Sequence, residues 1–174
     1  EPLHLDSLFF GTTEEADSRF VPVDVSAVKE GRSWHTDFMH NPVIRHGFIP
    51  SANGCANALS IAKHYAALLG EVEGVRLLRP ETVADAAILR RAPEDPVPPE
   101  GTWQRFGLGY ALYGPENNLG SLFGHGGALG AEGFADRMHG IAVGFTKNKV
   151  TATHPVHPLR DRISKVLGLP PRHW

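Results

Sequence analysis

The chain has a single cysteine, Cys55. No internal disulfide can staple it, so its stability must come from packing. That lone thiol reads as a small buried apolar residue. No apolar run approaches the roughly 18 residues that a membrane-spanning helix needs. Neither sign of charge dominates, because 17 Lys and Arg stand against 19 Asp and Glu for a formal net charge of −2. Nucleic acid and anionic lipid are both recognised through accumulated positive charge, and so balanced a surface offers neither a basic stripe nor a polybasic patch. A small-molecule or peptide substrate is the partner class that remains, and the sequence calls for no cofactor. The opening Glu1-Pro2-Leu3-His4-Leu5 has neither an initiator methionine nor the pattern of a signal peptide. It reads as the start of a piece cut from a longer polypeptide. What is present is ordinary for a globular domain: 174 residues, 41% hydrophobic and 21% charged.

Residues 1–50 hold short apolar pieces, Leu3-Leu5-Leu8-Phe9-Phe10 and Phe20-Val21-Pro22-Val23, with no sustained period, and read as a loop-rich connector. Helices occupy 51–92. Ala58, Ile61, Ala62, Tyr65, Leu68 and Leu69 recur at helical spacing between an Asn57 cap and a Gly70 stop. Pro80 opens a second helix whose expected end is near Arg90-Arg91, two cations that suit a helix C-terminus. After a proline-rich break at 93–99 the period becomes alternating, and 101–148 reads as antiparallel strands in three runs, Gly101 to Tyr113, Ser121 to Phe134 and Gly140 to Lys147. Gly107 and Gly109 are expected to let strands pack closely, and Tyr65 and Tyr110 to be core aromatics. Leu159, Ile163, Val166 and Leu167 form the apolar stripe of a C-terminal helix over 156–168 that packs on the sheet. The expected fold is α/β of the α+β type: an antiparallel sheet flanked by helices, with 1–174 forming one partial domain.

The densest signal is Gly124-His125-Gly126-Gly127-Ala128-Leu129-Gly130, where small residues stand in place of strand bulk. Something must approach that backbone closely. A bare strand N–H there can donate to a developing oxyanion, with His125 as the polar group beside it.

Five motifs then occur in one order. Glu1-Pro2-Leu3-His4-Leu5-Asp6 is similar to a "PLGL-D" segment, and Ile61-Ala62-Lys63-His64-Tyr65-Ala66-Ala67-Leu68-Leu69 to "LARFYAALL". Leu77-Leu78-Arg79-Pro80-Glu81-Thr82-Val83 is similar to "LLSPETV" and Phe106-Gly107-Leu108-Gly109-Tyr110 to "GLGF", while Phe134-Ala135-Asp136 and Gly140-Ile141-Ala142 match the strand pair that follows. In these the chain resembles the C-terminal half of the serine β-lactamase-related family, the class C β-lactamase, D-Ala-D-Ala carboxypeptidase and esterase group, with its β-lactamase/transpeptidase-like fold. The resemblance implies a serine in Ser-x-x-Lys, a Tyr-x-Asn tyrosine and a third motif lining the pocket, here in its His-x-Gly form as His125-Gly126-Gly127. It implies that His125 contacts the substrate or helps proton transfer, that Gly126 and Gly127 line the substrate site, and that the Ala128 N–H is an oxyanion donor. The other two motifs are expected upstream, in the missing N-terminal half of the same domain. The expected reaction is hydrolysis of an ester, amide or peptide through an acyl-enzyme, with this segment inactive alone. The alternative is a catalytically inactive member serving as a binding or structural subunit.

Ser26-Ala27-Val28-Lys29 has the form of Ser-x-x-Lys, and Ser51-Ala52-Asn53 that of Ser-x-Asn. The first is rejected because Val25 and Gly31 leave no helix to put positions i and i+3 on one buried face. His154 and His157 are the closest pair among 10 histidines, but prolines flank them and no third ligand accompanies them, so no metal site is expected. Trp34, His35, Asp37 and His40 read as surface loop, and Glu132 as an exposed strand carboxylate.

Overall fold

The structure is a computed structural model that describes residues 2–27, 40–92, 94–96, 105–150 and 156–169. Its organising helix is α3, Ala58–Leu69 (α1 and α2 belong to the N-terminal segment below). The Asn57 side chain accepts from the Ser60 N–H at 2.8 Å, and the Gly70 N–H closes the far end on the Ala66 carbonyl. The next helix, α4, runs Pro80–Ala86 and stops short of the arginines expected to end it. The Leu108 N–H takes the Ala86 carbonyl at 2.9 Å, so another part of the chain holds the acceptor a further turn would need. Beyond that point the chain turns at Ala87 and Ile88 and passes Phe106, whose carbonyl accepts from the Arg90 N–H, and Arg90 pairs back to Asp85 at 2.6 Å.

The main sheet is an antiparallel meander of four strands in sequence order, β3 Ala111–Tyr113, β4 Leu122–Gly126, β5 Glu132–Asp136 and β6 Ile141–Phe145. The run expected as one strand over Ser121 to Phe134 is thus two, folded back between Gly126 and Glu132, and among the described residues the first expected run contributes three to a strand. Ahead of β3 the alternation of Phe106, Leu108 and Tyr110 is a tight reversal instead. The Gly107 N–H bonds the Tyr110 carbonyl, Gly109 takes φ +81°, and Phe106 bridges Ala111. Gly107 serves close packing against a helix end, since a Cβ there would lie 2.0 Å from the Ala86 carbonyl oxygen.

Register and alternation divide the sheet into two faces. Leu112, Phe123, His125, Gly133, Ala135, Ala142 and Gly144 share the face that meets α3. Tyr65, Leu68, Val83, Ala87, Leu112, Phe123 and Ala135 form the core on this side. The helix sits almost on the strands: a Cβ at Gly144 would lie 2.2 Å from the Ala58 carbonyl oxygen and 2.7 Å from the Ala62 nitrogen.

The opposite face carries Tyr113, Leu122, Glu132, Phe134 and Asp136 and meets α5, Val156–Val166. Here the expected apolar stripe is displaced. Val166 and Leu167 are exposed, Leu159 and Ile163 are half-buried, and the most deeply buried residue is Arg160 at 1% exposure. Glu132, expected as an exposed carboxylate, is equally buried and forms an ion pair with Arg160, whose guanidinium lies 4.1 Å from the Tyr113 ring centroid and 5.2 Å from that of Phe134. A buried cation needs both a counter-charge and a flat apolar bed, and this face supplies them.

The N-terminal segment carries elements of three to five residues, too short to impose a period. β1, Leu8–Phe10, pairs antiparallel with β2, Gly54–Ala56, and between them lie α1, Glu14–Asp17, and α2, Pro42–His46. Arg45 grips the Asp17 carboxylate through Nε and Nη2, and with His46 and Thr12 it holds that carboxyl well below the usual range. Cys55, on β2, is half-buried, and burial pushes its thiol up.

Gly144→Ala is expected to lower stability by about 1–3 kcal/mol, because the new methyl meets helix backbone that cannot swing aside. The control is Gly70→Ala, whose Cβ meets nothing within 4 Å. Thermal unfolding followed by circular dichroism reads the pair, and equal midpoints would show that α3 is not seated on β6.

Candidate active site

Glycine selection along β4 has a local cause. A Cβ at Gly124 would lie 2.6 Å from the Phe134 Cα, so the strand that carries His125 runs too close to its neighbour for any side chain at that point. His125 follows, opposite Gly133 across the ladder, on the face shared with α3. Its side chain is nevertheless exposed, because the helix covers Gly133 and the strands beyond and leaves this end of the face open. The Phe106 ring stands edge-on to the imidazole, with centroids 5.7 Å apart and planes at 64°. Among the described residues the imidazole nitrogens make no hydrogen bond.

β4 ends at Gly126, and the chain reverses in a bulged hairpin. The Gly127 N–H bonds the Ala131 carbonyl and the Gly130 N–H bonds the Gly127 carbonyl, both at 2.8 Å, with Gly130 at φ +91°. This is a tight turn closed by a left-handed glycine, a geometry that matches the twist of the strands it joins. Ala128 is therefore the first corner of a turn, where a strand position was expected. Its N–H donates to no described residue. The Lys147 side chain covers Gly130 from the other side.

Behind His125, Tyr65 packs edge-on against Tyr110, and Phe123 lies within 6.3 Å of Tyr65 and 5.0 Å of Tyr110. Burial pushes the Tyr65 phenol well above the ordinary tyrosine range, Tyr110 adds to this, and the His125 backbone amide pulls it partly back. Burial likewise raises Tyr110. Both phenols stay protonated at neutral pH and serve as wall, not as base.

The other candidates separate. Asn53 is fully buried, and its carboxamide is consumed by structure, donating to the Ile44 and Gly47 carbonyls and accepting from the Ile49 N–H. Ser26 is exposed and donates its backbone N–H to Asp24, which is bridged to Lys149; Val28 and Lys29 lie outside the described residues. His40 pins a loop, its Nε2 accepting from the Val23 N–H at 3.1 Å. Trp34, His35, Asp37 and His154, and the side chain of His157, lie outside the described residues. Among the described residues no three His, Cys, Asp or Glu gather as a metal would require, and no helix is long and apolar enough to cross a membrane. A cleft of about 450 Å³ opens between the N-terminal segment and α3, lined by Leu3, Leu5, Phe9, Phe48, His64 and Leu77, and includes none of the His125 to Ala128 residues. Phe106 was missed as a neighbour of His125 because its alternation with Leu108 and Tyr110 read as strand.

Residues 1–167 match the family model described as Beta-lactamase. The chain belongs to the beta-lactamase family. It is 35% identical over 107 residues to the esterase/beta-lactamase LipL of Mycobacterium tuberculosis, a match covering 59% of this chain and 24% of that protein. Among solved structures it is similar to EstA of Arthrobacter nitroguajacolicus Rue61a, with TM-score 0.70 and 20% identity over 93% of this chain and 50% of that one. It is also similar to a penicillin-binding protein homologue from Caulobacter crescentus, with TM-score 0.59 and 27% identity over 88% and 45% of the two chains. A family VIII carboxylesterase shares the fold at TM-score 0.63 and 23% identity, over 88% and 44%. The chain therefore spans about half the length of these solved relatives. The mixed fold of helices on an antiparallel sheet is that of serine β-lactamase-related proteins.

Phe106→Ala is expected to move the His125 ring-proton resonances toward their free-histidine positions while leaving Phe123 resonances in place. Unchanged His125 resonances would mean that the two rings do not meet in solution.

Proposed function

We propose that this chain supplies the His-x-Gly side of a serine hydrolase site that acts on an ester, amide or peptide. The observation that carries the reading is the open end of β4, where an exposed imidazole without a described hydrogen-bond partner stands three residues before a turn N–H that is also uncommitted. In a β-strand protein most such groups are spent on the ladder, so two left facing outward suit a bound carbonyl compound. In this reading the attacking hydroxyl comes from a Ser-x-x-Lys segment and a proton carrier from Tyr-x-Asn, both in polypeptide upstream of this segment, as in the family the motifs resemble. The serine oxygen adds to the substrate carbonyl, the Ala128 N–H donates to the developing oxyanion, and the leaving group departs with a proton to give an acyl-enzyme that water then opens. His125 would meet the substrate's polar end or pass a proton, since an imidazole ring can both donate and accept a hydrogen bond. Gly126 and Gly127 let the substrate backbone or ring lie close to the strand. The similarity to an esterase/beta-lactamase and to a carboxylesterase supports the choice of reaction class.

The 174-residue chain alone is expected to turn over neither an activated ester such as a p-nitrophenyl acylate nor a chromogenic β-lactam. Turnover by this chain that disappears in Ser26→Ala would put the nucleophile inside it and overturn the reading. In the longest polypeptide that carries this sequence, ester turnover is expected, and His125→Ala is expected to reduce kcat/KM about ten- to a thousandfold, the range of one polar catalytic contact. An unchanged rate would remove His125 from the site. Eroded Ser-x-x-Lys or Tyr-x-Asn upstream would favour the binding or structural subunit instead.

A further inference from the structure

On the face of the sheet away from His125, the neighbours Leu122, Phe134, Val143 and Phe145 are apolar, yet the position facing Arg160 is a glutamate. Both side chains are essentially unexposed, at 0% for Glu132 and 1% for Arg160. Taking two charges out of water is expensive, and a well-packed apolar pair at such a site is commonly as stable or more so. Stability by itself therefore does not account for this pair, and its location suggests what does.

Glu132 is the first residue of β5 and sits across the ladder from Gly126, immediately after the bulged turn that carries Ala128. Gly126 has no side chain with which to grip α5, and the Cβ of Gly124 is excluded by Phe134, so the site strand itself has little purchase on the layer beneath it. Arg160 provides that purchase from α5. Its Nη2 pairs with Oε1 of the Glu132 carboxylate while the Tyr113 and Phe134 rings lie against the guanidinium. A guanidinium held on three sides has one allowed orientation, whereas an apolar side chain would tolerate sliding.

We propose that the Glu132–Arg160 pair is a positioning device for the hairpin, fixing from the far side of the sheet the base on which the turn presents the Ala128 N–H beside His125. It rests on the hydrolase reading for its catalytic consequence, though not for its structural one.

The test uses the full chain in two variants: the apolar exchange Glu132→Leu with Arg160→Met, and Glu132→Gln. The apolar exchange is expected to keep its thermal midpoint within a few degrees, while the amides of residues 127–131 exchange with solvent about tenfold faster or more and the Ala128 amide resonance moves. In the polypeptide that carries the activity, kcat is expected to fall about tenfold or more with KM nearly unchanged, as expected when a donor is displaced from its working position. Should the apolar exchange fail to fold, Glu132→Gln keeps the shape and gives the same readouts. A folded variant with unaltered exchange and an unmoved Ala128 resonance overturns the proposal. Absence of turnover in the unsubstituted protein sinks the hydrolase reading alone, because the amide measurements need no substrate.

Discussion

The contact between α3 and the two glycines Gly133 and Gly144 is the constraint on which the remaining structure depends. A helix normally rests on a sheet through interleaved side chains. Here the sheet offers no side chain at those two positions; helix backbone occupies the space at Gly144, and the Tyr65 and Ile61 side chains occupy it at Gly133. The close seat brings Tyr65 down onto Phe123 and sets where the aromatic core ends. It also decides what stays uncovered, since α3 is spent over Gly133, Ala135 and β6 and leaves His125 beyond its edge. The openness of the candidate site is thus a by-product of tight packing next door.

The two faces of the sheet solve the burial problem by different physics. The α3 side is an ordinary apolar core, gaining from area removed from water. The α5 side is built around a buried ion pair whose formation is opposed by desolvation and favoured by geometry and by two aromatic rings. Such a face is intolerant of half-measures, because either charge left without the other is far worse than neither. The N-terminal segment follows a similar logic at its surface, where Asp17 gathers Arg45, His46 and Thr12 and so joins α1 to α2 through one carboxylate.

Legibility in the sequence tracked how local each determinant is. The bounds of α3 were readable from Asn57, the helical spacing and Gly70, because capping and amphipathicity are written within a dozen residues. The Gly-His-Gly-Gly stretch was readable as a place of close approach, and its resemblance placed the chain in the right family. The early stop of α4 was not readable, because it is imposed by Leu108, about twenty residues away. The turn at Gly107 to Tyr110 imitated strand alternation, since a reversal with apolar residues at every second position has the same pattern as a strand. Arg160 and Glu132 were invisible for the deepest reason: each alone looks like a surface charge, and only the fold brings them together. Whether the motif residues catalyse was not legible beyond the resemblance, since the spacing of residues along a chain does not state which groups they meet in space.

The hairpin after β4 separates two things that a strand would tie together. Its closing glycine absorbs the unusual backbone angle, so Ala128 and Leu129 keep ordinary conformations and carry no steric obligation to the ladder. Their side chains are thereby free to drift over evolutionary time while the amide direction stays put. A lineage can reshape the surface at these two positions without disturbing the backbone beneath.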